Sequence, residues 1–144
     1  MLLVRARRCL LTLWAGSLWT VGYLVAPTLF ATLADRVQAG TVAASMFRSE
    51  AWLSIGCALM MLGLLQWGAH ELDAGRRRTS LLIVLAMLLC TLLVHFGLRP
   101  MMAALREAAG SGPLPTRFGM LHGVSSALYL IQSLLAGALI WKQQ

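Results

Sequence analysis

Four long apolar runs dominate this sequence, at about residues 9–31, 51–69, 80–98 and 119–141. Each run is close to the roughly 20 residues that a helix needs to cross the hydrocarbon core of a bilayer. No acidic or basic residue lies inside any of them. The pattern therefore predicts an all-α, polytopic membrane protein, whose four transmembrane helices form a single domain over residues 1–144.

The composition agrees with a membrane location and argues against other classes of protein. Hydrophobic residues make up 59% of the chain and charged residues 12%, whereas soluble domains contain roughly 25% charged residues. The net charge of +7 does not indicate nucleic-acid binding, because the basic residues form short clusters at the ends of the apolar runs. We expect the lipid bilayer, and no nucleic acid, as a partner.

The basic clusters also predict how the helices cross the membrane. Lys and Arg are enriched in short loops on the cytoplasmic side of membrane proteins. One side of the predicted topology holds Arg5, Arg7, Arg8, the triplet Arg76 to Arg78, and Lys142. The other side holds Arg36, Arg48, Arg99, Arg106 and Arg117. The larger group, with the tight triplet in a short loop, predicts that both termini are cytoplasmic.

The segments on the outer side, about 32–50 and 99–118, are predicted to be short and amphipathic. Val42, Ala43, Met46 and Phe47 share one face of a short helix, which would lie at the membrane surface or cap the bundle. The third helix is expected to continue past a kink at Pro100 and to stop near Gly110.

The first helix shows the same pattern of a proline, a helical continuation and a glycine stop. Its continuation after Pro27 is expected to end near Gly40. The sequence therefore predicts two hairpins of like topology, which could come from a duplication or from convergence.

The fourth apolar run carries a polar stripe at helical spacing. It consists of His122, Ser125, Tyr129, Gln132 or Ser133, and Ala136. Polar groups need partners inside a bilayer, so we expect this face to turn inward. It would form interhelical hydrogen bonds or line a ligand site.

Two histidines are the candidates for a cofactor. His95 and His122 lie near the outer ends of the third and fourth runs, with Met101 and Met102 close by in the sequence. Two imidazoles can ligate haem iron, and thioethers with imidazole suit copper. On an ideal helix, however, His95 points away from the small-residue face of Cys90 and Gly97, so both histidines could instead be packing residues with hydrogen bonds.

No pattern of catalytic residues is present. The sequence contains no GxSxG, no HExxH, no phosphate-binding glycine-rich loop and no paired carboxylates within the apolar runs. We therefore expect that the protein is not an enzyme.

Several short motifs resemble one family. They are the run from Gly22 to Phe30, Ala39-Gly40 with Met46-Phe47, Arg99-Pro100-Met101, and Phe118-Gly119 with His122-Gly123 and Ser125-Ser126. This set resembles the bacterial relatives of transmembrane protein 205, the domain of unknown function 4149 family. The motif positions expected to be structural are Gly22, Pro27, Phe30, Gly40, Phe47, Pro100, Gly119 and His122.

The resemblance implies a small multi-pass protein of the bacterial inner membrane. The resemblance identifies no catalytic residue in this chain. The family is also distantly similar to copper-resistance D-type and haem-associated four-helix membrane proteins, which favours His122 as a ligand.

The leading functional interpretation is a non-enzymatic interaction or scaffold protein without a cofactor, acting through a membrane-protein partner or as a homo-oligomer. One alternative is a haem b or copper protein that uses His122 with His95 or an outer methionine such as Met101 or Met102. A weaker alternative is an oligomeric pathway for small solutes, lined by the polar stripe of the fourth helix.

Overall fold

The computed structural model describes residues 2–67, 73–110 and 112–142. Four helices are long and apolar enough to cross a membrane: α1 (Leu2–Thr32), α2 (Arg36–Trp67), α3 (Ala74–Ala109) and α4 (Thr116–Lys142). The described residues contain no strand. The predicted all-α fold with four membrane-spanning helices is confirmed.

The four helices form a closed bundle. Each helix packs against the next one in sequence, and α1 also packs against α4. The buried apolar core fills the half of the bundle that lies near Arg76–Arg78, at the start of α3. Its fully buried members include Trp14 and Leu18 of α1, Met61 and Leu65 of α2, Val84 and Met87 of α3, and Leu139 of α4.

The helices are longer than the predicted membrane spans. α2 has 32 residues, or about 48 Å at 1.5 Å per residue, against a hydrocarbon core of about 30 Å. The expected surface helix around Val42 and Phe47 is therefore wrong as a separate element, because it is part of α2. No proline interrupts the chain between Arg36 and Trp67, so nothing ends the helix there. The predicted inner end of this span, at 69, lies outside the described residues.

Two π-helical turns interrupt the α-helical spacing, one in each hairpin. α1 changes to π spacing over Thr20–Val25, and α3 does so over Leu93–Leu98. In each helix a proline, Pro27 or Pro100, follows two residues after the turn. A proline lacks an N–H and clashes with the carbonyl four residues earlier, and the wider π turn accommodates both effects.

Beyond the second π turn, α3 continues to Ala109 and is followed by Gly110 with a φ of 54°. The predicted continuation past Pro100 and the glycine stop are confirmed. The two prolines therefore follow the same local structure in both hairpins. The predicted end near Gly40 is wrong, because the first helix ends at Thr32 and Gly40 lies inside α2. A common origin of the hairpins stays a prediction.

The end of the bundle near the arginine triplet is held by one side chain of that triplet. Arg77 donates from Nε to the Leu65 carbonyl at 3.0 Å and from a terminal nitrogen to the Gln66 side chain. At the same end, Trp67 and Trp141 are 83% and 79% exposed. Exposed tryptophans at the ends of spans are typical of the membrane–water interface.

Tyr129 joins three helices in the other half of the bundle. Its hydroxyl donates to the Leu18 carbonyl of α1 at 2.7 Å. The rings of Phe47 from α2 and Tyr23 from α1 meet its ring edge to face, with centroids 5.3 and 6.4 Å away. A Cβ at Gly22 would overlap the Tyr129 ring. Only glycine fits at this position without a shift of the tyrosine.

We expect Gly22→Ala to lower the free energy of unfolding by about 1–3 kcal/mol, the usual cost of overpacking. The new methyl group would displace Tyr129 and weaken its bond to Leu18. Gly16→Ala on the same helix is the control, because a Cβ there meets no atom within 4 Å. Unfolding of both variants in mixed micelles measures the difference. Equal stabilities would show that the bundle tolerates a wider separation of α1 and α4.

Candidate functional site

A buried chain of three polar side chains connects α1 to α2. The Trp14 indole N–H donates to the Ser54 hydroxyl oxygen at 2.8 Å. The Ser54 hydroxyl in turn donates to Oε1 of Glu50 at 2.6 Å. Trp14 and Ser54 are 0% exposed and Glu50 is 6% exposed. The chain therefore leads from the apolar core to a carboxyl group inside the bundle.

The neighbours of Glu50 place it level with the middle of the first apolar run. It borders a groove together with Ser17 and Val21, which occupy that part of the run. The predicted second span begins at 51 and places Glu50 in an outer loop. That loop assignment is wrong, because Glu50 lies inside α2 and is buried by Ser54 and the bundle.

A signal for this position exists in the sequence. The buried residues of α2 recur at helical spacing as Ala39, Ala43, Glu50, Ser54, Cys57, Met61 and Leu65. This period continues upstream through Ala43 and Ala39, beyond the end of the apolar run. Following the helical period rather than the hydropathy would have included Glu50 in the span.

The groove beside Glu50 has a volume of about 300 Å³. Polar side chains from two helices, Ser17 on one side and Ser45 and Ser49 on the other, border it with the carboxyl group. Val21, Met46 and Leu53 form its apolar walls. This groove therefore combines one carboxyl group and three serine side chains with apolar walls.

A basic group lies on the other side of α2. Arg99 of α3 donates to the Ala44 carbonyl of α2. The His95 ring packs edge to face against Trp52 and Phe96, with centroids 5.4 and 4.7 Å away. Within the described part of the chain, Nδ1 of His95 and one terminal nitrogen of Arg99 are buried without a hydrogen-bond partner. His95 therefore belongs to the contact between α2 and α3.

His122 lies in a different environment. It is exposed, and its ring stacks on Phe118 at 6.4 Å with an interplanar angle of 3°. The Arg106 guanidinium covers the same Phe118 ring at 5.3 Å. The predicted inward orientation is therefore wrong at His122, because the outer end of α4 turns this position away from the bundle.

The other members of the polar stripe on α4 face the bundle. Gln132, Ser133 and Ala136 are buried, and the Gln132 amide donates to the Thr91 hydroxyl of α3 at 2.9 Å. Tyr129 bonds to α1, as described above. These contacts are interhelical hydrogen bonds, the kind that holds membrane helices together.

The outer methionines are divided between two grooves. Met101 and Met120 border a groove of about 600 Å³ between α3 and α4, together with Leu105 and Arg117. Met102 is half-buried, and Met46 borders the groove of Glu50. The ring contacts of His95 are with Trp52 and Phe96, and that of His122 is with Phe118. Among the described residues, no group of three His, Cys, Asp or Glu side chains could hold a metal. The haem or copper site stays a prediction.

Several family-motif positions have a clear structural role. Gly22 and Phe47 contact Tyr129, and Pro27 and Pro100 follow the π turns. A Cβ at Gly40 would lie 3.7 Å from the Arg106 guanidinium. The remaining motif positions face outward: Phe30 is 44% exposed, and Gly119 and His122 are exposed.

Residues 9–111 match the family described as Domain of unknown function (DUF4149). The match covers more than half of the chain, so the chain belongs to this family. With its four helices, it is an integral, multi-pass membrane protein of that family. The matched region includes the motifs from Gly22 to Met101, whereas those from Phe118 to Ser126 lie beyond it. No curated protein and no solved structure matches the chain significantly.

Ser54→Ala should destabilise the protein by about 1–3 kcal/mol, because it leaves a buried indole N–H without its acceptor. Ser49→Ala is the matched control on the same helix. Ser49 is exposed and its hydroxyl bonds only to the Ser45 carbonyl, at 3.4 Å, so a change within about 0.5 kcal/mol is expected. The free energy of unfolding of each variant measures both effects, and equal losses would contradict a special role of Ser54.

The cofactor alternative is tested by the absorption spectrum and metal content of protein purified from iron- and copper-replete cells. We expect neither a Soret band nor stoichiometric copper, because His95 and His122 lie in separate contacts. A Soret band or bound copper that disappears in His122→Ala would contradict this expectation and establish the alternative.

Proposed function

We propose that this DUF4149-family membrane protein acts by associating with other helices in the bilayer rather than by catalysis, and that a second copy of the chain is its first partner. The proposal is carried by one observation. Gly119, Gly123 and Ala127 lie one helical turn apart on the exposed face of α4. A Cβ at either glycine would meet no atom within 4 Å.

Small residues spaced by four allow two membrane helices to approach closely. In lipid, helices gain little from hydrophobic burial, so close backbone packing is a main source of association. The same surface of α4 also carries Met120, Leu130 and Leu134, which are 67%, 51% and 66% exposed. These side chains would pack around the small residues in a helix pair.

A second copy suits this surface because a two-fold axis places the same patch on both sides of the contact. The opposite face of α4, with Gln132, Ser133 and Ala136, is already used inside the bundle. Association through the exposed face therefore requires no rearrangement of the four helices.

The non-enzymatic character of the protein rests on the sequence, which contains no catalytic motif. An interaction or scaffold role is compatible with the structure, where Tyr129 and Gln132 of α4 are engaged in interhelical bonds. Tyr129 and Gln132 bond to α1 and α3, which gives the proposed solute pathway along this stripe no support.

We also propose that the protein lies in the bacterial inner membrane with both termini in the cytoplasm. The basic residues at the start of α3 support this orientation, since Arg76 and Arg78 are exposed at the end of the bundle. A C-terminal fusion to green fluorescent protein should fluoresce, and a fusion to alkaline phosphatase at the same position should be inactive. The reverse pair of results would invert the topology.

Gly123→Ile should greatly weaken self-association, because a branched side chain keeps the two helices apart. Gly56→Ile on α2 is the control, since a Cβ there also meets no atom within 4 Å. Energy transfer between differently labelled copies in lipid nanodiscs or vesicles measures the dimer fraction. The proposal fails if the wild-type protein is monomeric at high protein-to-lipid ratio, or if Gly123→Ile associates as well as the wild type.

A further inference from the structure

We infer that the groove between α1 and α2 binds a small primary ammonium ion, with Glu50 as its counter-charge. This inference goes beyond the proposed self-association, which uses α4. The two proposals rest on different helices, so either can fail without the other.

The first argument is the burial of the Glu50 carboxyl group. Its carboxyl group is 6% exposed and accepts a hydrogen bond from Ser54. Within the described part of the chain, no Lys or Arg pairs with it. A carboxylate removed from water costs several kcal/mol unless a cation accompanies it, and acidic residues inside membranes mark ligand or ion sites by default. A cation in the adjoining groove would supply the missing partner.

The second argument is the hydrogen-bonding character of the groove. The Ser17 hydroxyl donates its proton to the Trp14 carbonyl at 2.8 Å, and the Ser49 hydroxyl donates to the Ser45 carbonyl. Each hydroxyl has one proton and two acceptor lone pairs, so the oxygens of Ser17 and Ser49 are left as acceptors. With the Glu50 carboxylate, these oxygens suit a ligand that only donates hydrogen bonds. A primary ammonium group has three N–H donors and no acceptor.

The third argument is the shape of the groove. Its volume of about 300 Å³ is at the lower end of the range for small-molecule sites. Val21, Met46 and Leu53 would cover a short alkyl chain attached to the ammonium group. A bare divalent cation is a poorer fit, because calcium takes about six to eight oxygen ligands and the groove offers one carboxylate.

The test is titration calorimetry of the full chain in lipid nanodiscs with n-butylammonium chloride at constant ionic strength. We expect saturable binding to the wild-type protein. Glu50→Gln, which keeps the shape of the side chain and removes its charge, should bind about tenfold more weakly or worse, as expected for a lost charged hydrogen bond. Glu107→Gln is the control, because Glu107 is exposed on α3 and its loss changes the net charge equally.

A second variant keeps the inference testable if Glu50→Gln does not fold. Val21→Phe narrows the groove from α1 and leaves every charge in place, so it should also abolish binding while the protein remains folded. Tetramethylammonium, which carries the same charge but no N–H, should not bind.

Four results would overturn the inference. They are no saturable binding to the wild-type protein, wild-type affinity in Glu50→Gln, wild-type affinity in Val21→Phe, and competition by tetramethylammonium or sodium as effective as that of n-butylammonium. Dimerisation of the wild-type protein is measured separately, so a failure here leaves the association through α4 unaffected.

Discussion

The outer half of this bundle depends on the close approach of α1 to α4 at Tyr129. The tyrosine ring lies over Gly22, and its hydroxyl bonds to a backbone carbonyl of α1. Leu18, which supplies that carbonyl, lies two residues before the π turn begins. A hydroxyl group inside a membrane needs a hydrogen-bond partner, and the Leu18 carbonyl provides one for Tyr129. This bond, together with the contact at Gly22, fixes the distance between the two helices.

This arrangement divides the bundle into two halves with different properties. The half near Arg77 is filled by large apolar side chains such as Trp14, Met61 and Met87. The other half contains the two prolines that lie within helices, the two π turns and two grooves. Polar chemistry is concentrated where the helices are less regular. The Trp14–Ser54–Glu50 chain connects the halves, because its tryptophan lies in the core and its carboxyl group lies at a groove.

Much of the fold could be predicted from the sequence, because membrane insertion leaves few alternatives to long apolar helices. The number of helices, the continuation past Pro100 and the stop at Gly110 followed from hydropathy and proline chemistry. The candidate site could not be found in the same way. Hydropathy places Glu50 in a loop, because a charged residue ends an apolar run. Its burial depends instead on contacts with Ser54 and, through Ser54, with Trp14, which is 40 residues away from Ser54 in the sequence. Likewise, the orientation of His95 was judged on an ideal helix, whereas His95 lies inside a π turn.

The two π turns also change how sequences of this family should be compared. Each residue of an α-helix turns the chain by about 100°, and a π turn contains one residue more than an α turn would. Removing one residue from Thr20–Val25 or from Leu93–Leu98 would restore the α spacing without rotating the outer end of that helix, whereas the same deletion in a regular α segment would rotate it by about 100°. In an alignment, a one-residue gap at either place therefore means the loss of the π turn, and Phe30 or Met101 keeps its position around the helix axis.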